Sequence, residues 1–162
     1  MIQVGIIGGA GYTAGELIRL LITHPKADIN FVYSTSNAGN KISKVHQDLV
    51  GVLDLEFTDT VNPEVDVLFL CLGHGNSVKF LKGNTFAEKT KIIDLGNDFR
   101  LEADKIFNDK TFVYGLPELQ IDAIKSANYI ANPGCFATAI QLALLPLASA
   151  GLINSDVHIN AV

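Results

Sequence analysis

A short apolar run, Ile2 to Ile7, ends abruptly in Gly8-Gly9-Ala10-Gly11, and residues 12–22 then place apolar side chains at helical spacing. A period-two segment that turns on glycine straight into a period-3.6 segment reads as a strand feeding a helix across one tight turn. His24-Pro25 stops that helix, because proline cannot continue the hydrogen-bond ladder. The same alternation recurs downstream. Residues 29–33, 65–72, 91–95 and 129–131 read as strands, and residues 136–147 as an apolar helix. The run at 65–72 has few polar positions, as a strand covered on both faces requires. Strands alternating with helices predict an α/β fold with a doubly wound, mostly parallel sheet. Residues 38–60 and 97–126 lack a clear period, and long excursions at strand ends in such sheets usually carry function.

The chain has 162 residues, enough for one ordinary domain. Its 48% hydrophobic and 18% charged content excludes wholesale disorder. A formal charge of −5, with 12 basic residues in no dense run, argues against a nucleic-acid surface and for small-molecule partners. The apolar run near 140–147 is far short of the roughly 20 residues that span a bilayer, and the N-terminus shows no charged signal region. A soluble, cytoplasmic protein without a membrane partner is the expectation.

The turn at 8–15 has the spacing Gly-x-x-Gly-x-x-Ala and stands where a dinucleotide fingerprint must stand, after a strand and at a helix start. Gly8 permits the turn, Gly11 lets backbone approach a pyrophosphate, and Ala14 allows close helix packing. Gly8, Gly9, Ala10, Gly11, Tyr12 and Thr13 are therefore the expected cofactor contacts, with the anion at the helix N-terminus. The fold expected is Rossmann-like. Ser34, Thr35, Ser36 and Asn37 stand at the end of the second strand, where an acidic residue would hold a ribose 2′-hydroxyl. Hydroxyls and an amide without negative charge favour a 2′-phosphate, hence NADP over NAD, although the same residues also suit an ordinary strand-end turn.

Two cysteines, Cys71 and Cys135, are too few and too distant in sequence for a metal cluster or a disulfide framework. Cys71 lies in an apolar strand and reads as a small buried hydrophobe. Cys135 follows Asn132-Pro133-Gly134, which reads as a helix start with Asn132 as N-cap, Pro133 at the first helical position and Cys135 in the first turn. The positive end of the helix dipole there favours a thiolate, the form that acts as nucleophile.

Gly73-His74-Gly75 follows the third long strand, at the edge where such sheets bind ligands. Gly73 is expected beside the cofactor. His74 either faces nicotinamide or substrate, or is a solvated loop residue. Arg100, in Asp98-Phe99-Arg100, either grips an anionic substrate or pairs with Asp98. Residues 114–118 suit a rigid loop. His24, His46 and His158 read as structural or ordinary loop residues.

Five motifs in order, GGAGYTAGEL at 8–17, SNAG at 36–39, IDLGNDFR at 93–100, YGLPEL at 114–119 and ANPGC at 131–135, resemble the N-acetyl-gamma-glutamyl-phosphate reductase family. That family is an arginine-pathway relative of aspartate-semialdehyde dehydrogenase. The resemblance implies that Cys135 is the nucleophile, that His74, Arg100 and Asn132 contact substrate, and that NADPH reduces an acyl phosphate through a cysteine thioester. It extends the conserved loops to Asp98, Tyr114 and Glu118. Phe136-Ala137 stands where many relatives have Tyr-Pro, and the basic residue many carry near Thr35 is missing. An aspartyl-type reductase and a silent dinucleotide-binding module are the alternatives.

Residues 156–162 read as a new strand with neither turn nor partner. Residues 1–150 are thus expected to form the dinucleotide-binding domain, including the cysteine helix. Residues 151–162 are expected to be the truncated start of an α+β substrate and dimerisation domain. The resemblance implies an acid-base histidine in the part of that domain which this chain lacks, and a homo-oligomer in the full-length protein, so the chain alone is expected to turn over little.

Overall fold

The computed structural model describes residues 1–160. In chain order, it comprises β1 (Ile2–Ile7), α1 (Tyr12–Leu21), β2 (Ala27–Tyr33), β3 (Phe57–Thr58), β4 (Val67–Leu70), α2 (Ser77–Gly83) and β5 (Lys91–Asp94). There follow β6 (Ile106–Phe107), β7 (Lys110–Thr111), β8 (Val113–Tyr114), α3 (Pro117–Ser126), β9 (Tyr129–Ala131) and α4 (Cys135–Ser149). Seven strands form one sheet in the order β3-β2-β1-β4-β5-β9-β8, and every pairing within it is parallel. This is the doubly wound α/β sheet read from the alternation. Strand order reverses between β1 and β4, so the loops after those strands diverge and leave a crevice at the carboxyl edge.

Both faces are covered. Val4, Ile6, Ala14, Ile18, Val32 and Phe57 make one apolar layer under α1, and Ile7, Leu68, Leu70, Leu81, Ile92 and Phe99 make the other. Each parallel strand must therefore be apolar on alternate and intervening positions alike, which is why β1 and β4 read as near-continuous hydrophobic runs. The excursion 38–60 belongs to this packing. Its 3₁₀ turns, Ile42–Lys44 and Gln47–Leu49, bury Ile42 and Leu49 against the α1 layer.

The second excursion is more ordered than its sequence pattern suggests. Asn108 and Asp109, with φ of 47° and 62°, make the two-residue turn of the β6–β7 hairpin, a backbone region that these side chains tolerate. Phe99 and Phe112 stack at 3.9 Å beneath it. Residues 117–126 form α3, not loop, with Pro117 in the first turn and an internal kink at Gln120, whose side-chain amide donates to the Tyr114 carbonyl. The new strand expected at 156–162 does not form over residues 156–160, and positions 161 and 162 lie outside the described residues. Residues 157–160 instead border a groove along α4 beside Phe136 and Ile140, and His158 is exposed there.

Candidate active site

All the loops singled out by sequence leave the carboxyl ends of parallel strands and so reach one edge of the sheet. After β1, Gly8 has φ of +80°, and a Cβ there would stand 2.4 Å from the Cys71 carbonyl oxygen, so only glycine makes this turn. The amides of Gly8 and Gly9 both donate to the Tyr33 carbonyl at 3.1 and 2.8 Å, and Gly11 donates back to Gly8 at 3.0 Å. These bonds tie the turn, which carries Ala10, to the end of β2. Gly11 is the N-cap of α1 and no side chain caps it. Gly11, Tyr12 and Thr13 are exposed, leaving the helix N-terminus open to an anion.

At the end of β2, Ser34 is buried and its hydroxyl lies 3.4 Å from that of Ser36. The Asn37 side-chain amide donates to both, at 3.3 and 3.1 Å, and Thr35 is exposed beside them. Asp28 stands at the opposite end of the strand, accepting from Gln3. The cluster thus presents hydroxyls and an amide, with no carboxylate among its members.

Beyond β4, Gly73 and His74 are exposed in a turn closed by Asn76, which donates to the Gly73 carbonyl at 3.0 Å. Asp98 holds this turn from the next loop. Its carboxylate accepts from Gly75 at 2.6 Å and from Val78 at 3.1 Å, capping α2. Asp98 is therefore spent on backbone and makes no ion pair with Arg100 among the described residues. Arg100 reaches the other way. Its Nε donates to the Asn132 carbonyl at 2.8 Å and its Nη2 to the Leu95 carbonyl at 2.9 Å.

Cys135 is exposed as the first residue of α4, in the first turn as expected. The cap differs from the sequence reading. Gly134 is the N-cap, and Pro133 precedes it outside the helix. Asn132 cannot cap because its amide donates to the Asp94 carbonyl at 2.8 Å and Arg100 holds its own carbonyl, which keeps it extended. Its side chain donates to Pro133 at 3.1 Å. The first bond into the helix runs from Thr138 to the Gly134 carbonyl at 2.9 Å, and no side chain caps α4. The amides of Cys135, Phe136 and Ala137 precede that ladder. Cys71 lies just past β4, half-buried rather than fully enclosed. Burial, helped by the charge of Asp94, pushes its thiol up to about 12.

Along this edge, Asp98 ties its loop to the 73–75 turn, and Arg100, two residues on, ties the same loop to Asn132 beside the cysteine. Tyr114 and Glu118 stand farther out. Tyr114 donates to Gln141 of α4 at 3.2 Å, whereas Glu118 is exposed in the first turn of α3. Two residues of this edge escaped sequence reading. Asp94, at the end of β5, is buried, accepts from Ser77 at 2.5 Å and Gly96 at 3.1 Å through Oδ1, and leaves Oδ2 without a partner among the described residues. Its carboxyl is pushed above the ordinary range, mainly by burial, with the Ser77 and Gly96 bonds opposing. An aspartate ending an apolar strand could have signalled it. His46, read as an ordinary loop residue, is buried against the glycine turn.

Residues 3–127 match the family model described as semialdehyde dehydrogenase, NAD binding domain. The chain is 67% identical over 161 residues to an N-acetyl-gamma-glutamyl-phosphate reductase of Flavobacterium johnsoniae, which covers 99% of this chain and 50% of that protein. It is 63% identical over 162 residues to one of Christiangramia forsetii, covering 100% of this chain and 49% of that protein. The chain spans about half the length of the curated relatives it matches. A crystal structure of aspartate semialdehyde dehydrogenase with NADP from Candida albicans has the same fold, with a TM-score of 0.65 at 18% identity over 92% of this chain and 47% of that one.

Proposed function

This chain belongs to the semialdehyde dehydrogenase NAD-binding-domain family, and on that premise we propose that it is the cofactor-binding, nucleophile-bearing half of an N-acetyl-gamma-glutamyl-phosphate reductase. One observation carries the reading: Cys135 opens a helix, exposed, at the sheet edge that also bears the uncapped glycine turn. Nucleophile and dinucleotide would meet there.

The cofactor fits the residues present. Gly11 offers bare backbone, since a Cβ there would meet nothing nearer than the Gly8 carbonyl at 3.4 Å, and the α1 N-terminus is open. Gly8, Gly9, Ala10, Gly11, Tyr12 and Thr13 would hold the pyrophosphate, Ser34, Thr35 and Ser36 the 2′-phosphate, and Gly73 the nicotinamide end. The missing carboxylate at the end of β2 supports NADP. When bound, NADPH supplies a hydride to the acyl carbon.

The Cys135 thiolate attacks the acyl carbon of N-acetyl-glutamyl 5-phosphate, forming a carbon–sulfur bond as the carbon–oxygen bond to phosphate breaks. A thioester results, and phosphate leaves with the bonding pair. The amides at the start of α4 stabilise the oxyanion that develops in each half-reaction. After reduction, the tetrahedral adduct on sulfur collapses, the thiolate departs and N-acetyl-glutamate 5-semialdehyde is released. Arg100, Asn132 and His74 position the substrate. The small acyl phosphate, a cytoplasmic setting and a homo-oligomer in the whole protein belong to this proposal. Among the described residues no helix is long and apolar enough to cross a membrane.

The test is to supply the whole protein with N-acetyl-glutamyl 5-phosphate or aspartyl 4-phosphate and follow NADPH oxidation. Turnover of the first and not the second supports the reading; the reverse preference assigns the aspartyl reaction. NADPH binding without turnover of either leaves a silent dinucleotide module.

A further inference from the structure

His46 lies far from the glycine turn in sequence, yet its Nε2 stands 2.8 Å from the Gly9 carbonyl oxygen in a buried contact. A carbonyl can only accept, so Nε2 carries the hydrogen. The opposite side of the ring rests on α1 at Gly15. A Cβ there would stand 2.6 Å from Nδ1 and 2.7 Å from Cε1, so this helical glycine is the space the imidazole occupies. The segment carrying His46 is itself fastened to α1. Asp48 accepts from Arg19 at 2.6 and 2.7 Å, one turn beyond Gly15. Gly9 is thereby held at both its backbone polar groups, its N–H by the Tyr33 carbonyl at 2.8 Å and its C=O by His46.

We propose that His46 is a positioning residue for the dinucleotide site: wedged between α1 and the Gly9 carbonyl, it sets the path of the glycine turn and so the affinity for NADPH. The inference rests on the cofactor reading above. It gives the excursion 38–60 a task beyond core packing, because that excursion delivers the one imidazole that reaches the turn among the described residues.

The experiment uses the whole protein and NADPH, with dissociation constant, KM, kcat and thermal midpoint measured together. His46→Leu keeps bulk and loses the donor, whereas His46→Gln places an amide N–H near the Nε2 position. The expected result is a rise of about tenfold or more in the NADPH dissociation constant and KM for His46→Leu, with kcat at saturation within about twofold, and recovery in His46→Gln. Gly15→Ala drives a Cβ into the buried ring and displaces it, so it is expected to weaken NADPH binding, measured below the variant's own thermal midpoint. It also serves if His46→Leu fails to fold. Unchanged NADPH affinity in the folded variants overturns the inference, as does equal weakening of the Leu and Gln variants in step with lost stability. A parent protein that binds neither NADPH nor NADH overturns the cofactor reading and this inference with it; a parent that binds, beside variants that bind equally well, overturns this inference alone.

Discussion

Gly134 lies so close to the guanidinium of Arg100 that a Cβ on it would stand 2.9 Å from Nη1. With Nε and Nη2 donating to the carbonyls of Asn132 and Leu95, Arg100 ties the end of β5 to the loop that presents Cys135. The substrate contact proposed for Arg100 therefore falls to the N–H groups left on Nη1 and Nη2, and the residue has a second task as a brace.

Arg100→Lys should break that brace, because one ammonium cannot reproduce a planar fork that serves two carbonyls. Each lost bond to a charged donor costs about 1.5–3 kcal/mol. Thermal unfolding should report a clear loss of stability, and alkylation should report a changed rate at Cys135. Gly134→Ala, which forces the guanidinium aside, should act in the same direction. Parent-like stability and labelling in both variants would show that the brace does not matter.

Asp94 should make stability fall with pH on the acid side. Its folded pKa is raised by burial, against the pull of the Ser77 and Gly96 bonds, with Asp98 adding to the rise and Arg100 opposing it. A raised acid binds its proton more tightly in the folded chain, so its contribution is complete below the unfolded value, near ~3.9, and is lost as pH climbs through the raised value. Asp94→Asn removes this dependence. Melting curves across a pH series should show the parent losing stability relative to the variant over that window, and a pH-independent difference would refute it. Ser77→Ala, lacking the bond that opposes the rise, should extend the decline to higher pH.

The two thiols should separate cleanly. With its pKa pushed up to about 12, half-buried Cys71 is almost wholly protonated at neutral pH, and Cys135 is exposed. Peptide mapping after brief iodoacetamide treatment should find label on Cys135 well before Cys71. Comparable labelling of both would contradict the burial assigned to Cys71.

Cofactor choice should be reversible at one position. Ser36→Asp puts a carboxylate beside Ser34 and Asn37, where it would repel a 2′-phosphate and suit a 2′-hydroxyl. The ratio of NADP to NAD dissociation constants should rise by about tenfold or more. An unchanged ratio would place the adenosine ribose elsewhere.

The parallel sheet was legible because β1 and β4 must be apolar on both faces, and the glycine turn because a strand and a helix frame it. What depended on partners distant in sequence was hidden. Asn132-Pro133 looks like a cap followed by a first helical residue, but the bonds from Asn132 to Asp94 and from Arg100 to Asn132 hold it extended, and the cap passes to Gly134. Helix α3 was obscured because Gly115 and Pro117 read as turn residues, although proline is at home in a first helical turn. His46 carries no local signal, since its role depends on Gly15 and Gly9. Alternation at 156–162 suggested a strand, but a strand needs a neighbour, and over residues 156–160 none pairs among the described residues.

Acyl transfer to Cys135 is the step on which the proposed reaction depends. Intact-mass analysis of the whole protein mixed with N-acetyl-glutamyl 5-phosphate, without NADPH, tests it directly, with Cys135→Ser alongside. A covalent N-acetyl-glutamyl adduct on Cys135 with matching phosphate release is expected, neither seen in the variant, together with loss of the adduct when NADPH is added. Reduction of the acyl phosphate by Cys135→Ser at the parent rate, or an adduct on any other residue, would contradict it.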